Sequence, residues 1–257
     1  MLRFASLASG SGGNCLVADA DGTCVLIDCG LNLRDTEKRL ARLGLEPSDI
    51  NGVLVTHEHG DHAHGVFDFA AAHNVTVYLT YGTMHAMKAE GKVIEGVRLV
   101  FINGRQSEAV GGMQVMPFTV PHDAREPLQL TCTDGASRLG VLTDLGRSSG
   151  HVLEQLAGCA TLLLECNHDP VMLETGSYPW PLKRRISGGW GHLANEAAAA
   201  IAQALRPSGL AKVVAAHLSE QNNRPELARA ALAGAMGCEP HEIAVADGAH
   251  GCEWMDA

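Results

Sequence analysis

Seven consecutive residues, Thr56-His57-Glu58-His59-Gly60-Asp61-His62, hold three imidazoles and two carboxylates directly after the apolar stretch Gly52-Val53-Leu54-Val55. Neutral imidazole nitrogens and carboxylate oxygens are the donors that divalent ions such as zinc or manganese accept. Neither regular structure aims them together. A strand, with its period of two, turns His62 away from His57, His59 and Asp61, and the 3.6-residue period of a helix scatters the set as well. The run is therefore read as a turn that closes a buried strand. A merely solvated loop would have to collect its three histidines by accident.

One turn cannot close a site for two metals, so further ligands are expected at other strand ends. Pro121-His122-Asp123-Ala124 follows the strand candidate ending at Val120, Thr143-Asp144-Leu145-Gly146 follows Leu139 to Leu142, and His217-Leu218-Ser219 follows Val213 to Ala216. Any one of these alone reads as an ordinary loop residue. Together with the His-rich turn they place polar ligands wherever an apolar strand runs out, along one edge of the sheets.

The elements that must position them are short apolar runs bounded by Gly, Asp or Asn. Strands are predicted at 4–7, 15–18, 24–27, 53–55, 75–79, 98–102, 113–120, 128–133, 138–142, 161–164 and 212–216, with short ones at 243–245 and 252–254. Helical spacing appears at 34–43, 64–72, 193–205 and 225–236. Strand-rich segments lead each half and helices flank them, which predicts an α+β fold of two face-to-face sheets with helices outside, a four-layer αββα sandwich. There is no repeat in the 20–50 residue range and no Pro/Ser-rich linker, so residues 1–257 are expected to form one domain.

Composition narrows the function classes. At 257 residues and 46% hydrophobic, the chain can bury a large core. Its formal net charge of −10 argues against coating nucleic acid through a general positive field. A nuclease stays open, because bound metal supplies local positive charge. Lys183-Arg184-Arg185, after Tyr178-Pro179-Trp180-Pro181, is the one dense cationic cluster, and reads either as a contact for a phosphate backbone or as an exposed helix end or loop. The eight cysteines form no C-x-x-C pair and are expected as free thiols. The first residues offer too few apolar positions for a signal peptide or a membrane span, so a cytoplasmic protein is expected, with no membrane partner. Nothing in the sequence sets the oligomeric state.

The order His57-x-His59-x-Asp61-His62, His122, Asp144, His217 resembles the metallo-β-lactamase superfamily over nearly the whole chain. Asp28, ending the strand at Ile27, matches that superfamily's early acidic residue, which orients a ligating histidine. The resemblance implies the αββα fold and two divalent ions, zinc or manganese. It implies one ion on His57, His59 and His122, a second on Asp61, His62 and His217, and Asp144 bridging. Zinc β-lactamases of the superfamily typically carry Cys where this chain has Asp144, and flavodiiron oxidoreductases need Glu at the place of His59. The set is closer to hydrolases of phosphodiesters and thioesters; a single-iron dioxygenase related to the thioesterase branch is harder to exclude. Gly191-His192-Leu193-Ala194-Asn195-Glu196 is similar in layout to tRNA 3′-processing phosphodiesterases. Ser9-Gly10-Ser11-Gly12-Gly13-Asn14-Cys15, Glu165-Cys166-Asn167-His168-Asp169 and His217 to Asn223 resemble the YycJ (WalJ) group, associated with 5′-to-3′ DNA exonuclease activity. Ala194 stands where Ser is common in that pattern.

Two cations about 3.5–4 Å apart lower the pKa of a shared water toward ~7 and hold both oxygens of an in-line displacement at phosphorus. The expected function is therefore a metal-dependent phosphodiesterase or nuclease using a hydroxide of a dinuclear centre, acting on DNA rather than RNA or on a small phosphodiester. Asp61 or Asp144 would orient the attacking oxygen, and His192 would serve the leaving oxygen, its alternative being a packing residue by the helix. Ser9, Ser11 and Asn14 in the Gly-rich loop, and Asn222 and Asn223 after His217, are candidate substrate contacts; a tight hairpin and a helix cap before Pro225 explain the same residues. A thioester or lactone hydrolase of glyoxalase type, a cyclic-phosphate phosphodiesterase and a non-catalytic scaffold are the competing readings. The scaffold conflicts with seven retained ligands.

Overall fold

The computed structural model describes residues 1–257. In chain order the first half forms β1 (Leu2–Ala8), β2 (Cys15–Ala20), β3 (Thr23–Ile27), α1 (Leu33–Arg42), β4 (Ile50–Leu54), α2 (Gly60–Ala63), α3 (Val66–His73), β5 (Thr76–Leu79), α4 (Tyr81–Ala89) and β6 (Leu99–Phe101). The second half forms β7 (Glu108–Val110), β8 (Met113–Thr119), β9 (Leu128–Thr133), β10 (Arg138–Leu142), α5 (Gly150–Leu156), β11 (Thr161–Glu165), α6 (Pro170–Thr175), α7 (Trp180–Ile186), α8 (Asn195–Leu205), β12 (Lys212–Ala216), α9 (Pro225–Met236), β13 (Ala244–Val245) and β14 (Cys252–Asp256).

The strands make two seven-stranded sheets, ordered β14-β1-β2-β3-β4-β5-β6 and β13-β12-β11-β10-β9-β8-β7. In each, an antiparallel portion passes into a parallel one: at β3–β4 in the first sheet and at β10–β11 in the second. Three apolar clusters of similar size hold the layers. One, with Phe4, Val25, Ile27, Leu163 and Val214, fills the space between the sheets. The other two lie under the helices of each sheet, with Leu7, Leu26 and Val53 in one and Leu162, Leu164 and Val213 in the other. Neighbouring residues of one strand thus go to different cores, as the two-residue period requires, and central strands buried on both faces read as continuous apolar runs. This is the αββα sandwich expected from the sequence.

Parallel register decides where the strands end. Ile27 pairs with Leu54 in the first sheet. Leu142 pairs with Leu164 in the second, which pairs in turn with Ala215. Asp28, the loop after β4, Asp144, Glu165 and His217 therefore leave their strands at one level, outside the carboxyl ends where α/β sheets usually place their sites.

Several boundaries differ from the sequence reading. The His-rich run is not wholly a turn: it leaves β4 as an extended loop to His59, and Gly60–Ala63 then close one turn of helix with His59 as its N-cap. Helix α8 starts at Asn195, not Leu193, and its N-cap Ala194 supplies no side-chain bond. The pattern leaves β7, α4, α5, α6 and α7 unmarked. Helices α5, α6 and α7 are six or seven residues long, under two turns, which is too short to show a period. Local chemistry starts two of them: Ser149 accepts from the Val152 N–H, and Asp169 accepts from the Met172 N–H with Pro170 at the first position. All eight cysteines are free, six of them buried. No helix is long and apolar enough to cross a membrane.

Candidate metal centre

The first sheet supplies its share through Asp28. Its buried carboxylate accepts from the Thr56 N–H (2.8 Å), the Thr56 hydroxyl (2.8 Å) and His62 Nδ1 (2.7 Å). Because the Thr56 hydroxyl donates to Asp28, it accepts from His57 Nδ1, 2.9 Å away. Both rings are thereby fixed with their rear nitrogen protonated and Nε2 carrying a lone pair. His57 Nε2 is buried with no hydrogen-bond partner. His62 Nε2 lies 2.7 Å from Asp144 Oδ2, a contact that is a hydrogen bond only when the ring carries both protons.

The same construction recurs in the second sheet. His122 Nδ1 donates to the Gly191 carbonyl (3.1 Å), and His217 Nδ1 to Glu165 Oε1 (3.2 Å). Four rings from three segments thus present Nε2 inward, each anchored behind by a structural acceptor, the arrangement that orients histidine ligands. His59 lacks such an anchor and lies with Nδ1 3.2 Å from His122 Nε2. Potential ligand atoms gather, within 4.8 Å of one another, as His57-His59-His122, as Asp61-His62-His217, as His57-His62-Asp144, and as Asp144-Glu165-His192-His217. Lone pairs without partners, aimed at one another inside the protein, suit a cation between them, so the nitrogen and oxygen donors present fit divalent ions. The structure brings together all seven residues expected from the sequence as ligands, and Asp144 touches both sets.

Charge follows the geometry. Burial alone would raise the Asp144 carboxyl, yet the His217 and His62 rings hold it well below the usual carboxylate range. Burial alone would likewise depress His217, but Asp144, Asp61 and Glu165 outweigh it and lift the ring to about 10. His57, enclosed and beside His62, is pushed well below its ordinary value. A proton and a metal ion compete for the same lone pairs here.

Backbone strain marks the strand ends. Asp28, Asp144 and His217 adopt φ of 61°, 48° and 54°, in the left-handed region that costs an ordinary residue about 1–2 kcal/mol. Close approach marks the loop: a Cβ on Gly30 would lie 1.8 Å from the Asp61 carbonyl oxygen, which accepts from the Asn14 N–H at 2.7 Å. Only glycine at 30 lets the Asp61 turn seat against the β1–β2 loop.

Glu165 is the residue the sequence reading placed in a motif but not in the site. Fully buried at the end of β11, it accepts from His192 Nδ1 (2.7 Å), His217 Nδ1 (3.2 Å) and the Leu145 N–H (2.8 Å). Burial would raise its carboxyl, but His192 brings it down to about 2. An acidic residue closing the apolar run Thr161 to Leu164 was the available signal.

A cleft of about 360 Å³ opens over the centre, lined by Ser11, Asp61, Asp144, His192 and His217, and roofed by Tyr178, Leu182, Arg185 and Ile186 around α7. Arg185 Nε donates to Asp123 Oδ2 at 2.6 Å across the rim. Of the candidate substrate contacts, Ser11 alone lines this cleft. Ser9 is buried and its hydroxyl accepts from the His217 N–H. Asn14 points its amide at Asp61 Oδ2 (3.2 Å) and His62 Nε2 (3.0 Å), and its Oδ1 takes the Gly10 N–H, so the Gly-rich loop spends its donors internally. Asn223 is buried in a reciprocal amide pair with Asn195, and Asn222 reaches Ser219. These four side chains brace the loops behind the centre, because each amide or hydroxyl is already engaged by the protein.

Comparison with known proteins places this architecture. Residues 23–217 match the beta-lactamase superfamily domain. The exodeoxyribonuclease YycJ of Bacillus anthracis is 36% identical over 229 residues, covering 89% of this chain and 86% of that protein. The exodeoxyribonuclease WalJ of Streptococcus pneumoniae is 34% identical over 229 residues, covering 88% and 85%. Among solved structures, the metallo-beta-lactamase fold protein YhfI from Bacillus subtilis superposes with a TM-score of 0.77 over the whole of both chains at 13% identity.

Proposed function

The chain belongs to the beta-lactamase superfamily, and from that premise we propose that it is a metal-dependent nuclease that removes nucleotides from DNA in the 5′-to-3′ direction. One observation carries the metal-dependent part: anchored rings from both sheets gather their inward nitrogens around Asp144, where His57 Nε2 and Asp144 Oδ2 are buried without a hydrogen-bond partner. The DNA part rests on the likeness to relatives named exodeoxyribonucleases.

In this reading His57, His59 and His122 hold one divalent ion, Asp61, His62 and His217 hold the other, and Asp144 serves both. Zinc suits the imidazole-rich set, and manganese the carboxylates of Asp61 and Asp144. Bound there, such ions supply an acidified water and neutralise charge on phosphoryl oxygens. The remaining work belongs to the chain. Asp61, whose side chain is 24% exposed where Asp144 is only 2%, is the carboxylate placed to orient an attacking oxygen in the cleft. Burial alone would depress His192, but Glu165 and Asp144 outweigh it and raise the ring. The protonated form is thereby favoured, and the ring can give a proton to the leaving oxygen, with Nδ1 tied to Glu165 and the other nitrogen available. Arg185, on the roof and held through Nε by Asp123, turns its remaining guanidinium N–H groups to a nonbridging phosphate oxygen.

The test is a side-by-side assay of metal-loaded protein on 5′-phosphorylated duplex DNA, structured RNA, 2′,3′-cyclic nucleotides and a glutathione thioester. Progressive shortening of the DNA from its 5′ end is expected. Thioester turnover with no phosphodiester turnover would overturn the proposal.

A further inference from the structure

Helix α7 has two working faces, and the metal cleft uses one. Leu182, Arg185 and Ile186, at the i, i+3, i+4 spacing of one helical face, line the cleft. Trp180, Lys183, Arg184 and Ser187, at the same spacing on the opposite side, wall a second cavity of about 220 Å³ with His168, Leu173 and Glu174. We propose that this second cavity binds an unpaired nucleotide of the strand whose phosphodiester lies in the metal cleft, the base on Trp180 and the phosphate on Arg184. The proposal deepens the nuclease reading and rests on it.

Three observations carry it. First, the Trp180 indole is 67% exposed beside the opening. An open aromatic face next to a cation is the platform on which single-stranded nucleic acids stack without regard to sequence. Second, the three cations of the cluster are divided. Arg185 is held by Asp123, and Lys183 donates to the Glu174 and Gly176 carbonyls (2.6 and 2.7 Å). Arg184 alone keeps an unpaired guanidinium, at a cavity wall in a chain of net charge −10. Third, His168 lines the cavity at 3% exposure, and its Nδ1 is buried without a hydrogen-bond partner. Leaving a buried polar atom unpaired is costly, so the ring that lines the cavity keeps unused bonding capacity just behind its wall.

Size and position agree. The cavity is smaller than the 300–1,000 Å³ typical of drug-sized ligands and suits one base with its sugar. Its floor is joined to the metal cleft: His168 forms a β-bridge with Ala194, and its carbonyl accepts from the Asn195 N–H at 2.9 Å, two and three residues beyond His192. Between the two cavities lies one helix, about 10 Å across, a span that a stacked strand covers in about three nucleotides at ~3.4 Å each. Glu174 repels phosphate from the far rim, which sets the backbone on the Arg184 side and leaves the carboxylate as an acceptor for a base amino group.

The experiment compares oligothymidylates of two to eight nucleotides with metal-loaded wild type, Trp180→Ala, Trp180→Phe and Arg184→Gln. In the wild type KM is expected to fall about tenfold between the two- and six-nucleotide substrates while kcat changes little, the scale of one stacked base. Trp180→Ala and Arg184→Gln should flatten that length dependence, and Trp180→Phe should keep most of it. A second readout needs no turnover: phosphorothioate-linked oligothymidylate should quench wild-type tryptophan fluorescence, and the quench should disappear in Trp180→Phe. Length dependence and quenching preserved in Trp180→Ala and Trp180→Phe, respectively, would overturn the cavity's role. Quenching that requires Trp180, without cleavage of any phosphodiester, would instead sink the nuclease reading and leave the cavity standing.

Discussion

Two regions build the centre by different means. In the first sheet, four candidate ligands lie within six residues, His57 to His62, on one loop closed by a single helical turn and tied down by Asp28. In the second, His122, Asp144 and His217 come from three separate strand ends, with Glu165 from a fourth behind them. The first region needs local geometry: a left-handed residue at 28, a threonine to relay its carboxylate, a glycine at 30 to admit the Asp61 turn. The second needs register, since a slip of β10 against β11 or of β11 against β12 would move Asp144, Glu165 and His217 apart. Burial against two cores, one on each face of these strands, is what fixes that register.

The largest effect should come where the regions meet. Asp144→Ala removes the one side chain common to both candidate sets and is expected to lower bound metal below the proposed two ions per chain and turnover by on the order of a thousandfold. Inductively coupled plasma mass spectrometry beside the DNA assay checks both; full metal content with full activity would refute the shared role.

The regions separate in the next pair. Asp28→Asn removes the acceptor behind His62, and Glu165→Gln the one behind His192 and His217. Each should weaken metal binding about 10–100-fold, measured by competition with a chromophoric chelator. Only Glu165→Gln should also move the pH–rate profile. Glu165 raises His192, so its loss lowers that ring, and the activity that falls as His192 gives up its proton should fall at a lower pH. Equal profiles for the two variants would erase that difference between the two regions.

The smallest effect concerns stability. Burial lowers His168 to about 4, below its unfolded value near 6.5. The unfolded chain therefore binds the extra proton first, and stability is lost as pH falls from about 6.5 toward 4. Between pH 6.5 and 5 the wild type should lose about 2 kcal/mol more than His168→Gln in denaturant unfolding, at ~1.4 kcal/mol per unit. Parallel losses in the two proteins would show that His168 titrates normally.

The comparison also explains what could be read from the chain. A contiguous ligand run announces itself by composition, and strands buried on both faces by their apolar runs, so His57 to His62 and the two sheets were legible. The candidate ligands at strand ends, His122, Asp144 and His217, are legible only as a set. Glu165 was passed over because its work, holding two rings by their rear nitrogens, exists only once β11 lies between β10 and β12. Asn14, Asn222 and Asn223 looked like substrate contacts because amides suit phosphates, and nothing local shows that Asp61, Ser219 and Asn195 already occupy them. Helix α7 is too short to show a period, so the cluster Lys183-Arg184-Arg185 does not by itself disclose the roof of the cleft.

The candidate ligand sets draw on both sheets, which are otherwise joined by the apolar cluster containing Phe4 and Leu163 and by a few bonds such as His217 N–H to Ser9 Oγ and Leu128 N–H to the Thr56 carbonyl. An ion seated at the proposed centre is then a gauge of sliding between the sheets. Its rate of escape reports how often the two halves of the sandwich shear, and repacking far from any ligand becomes readable as a change in metal residence time.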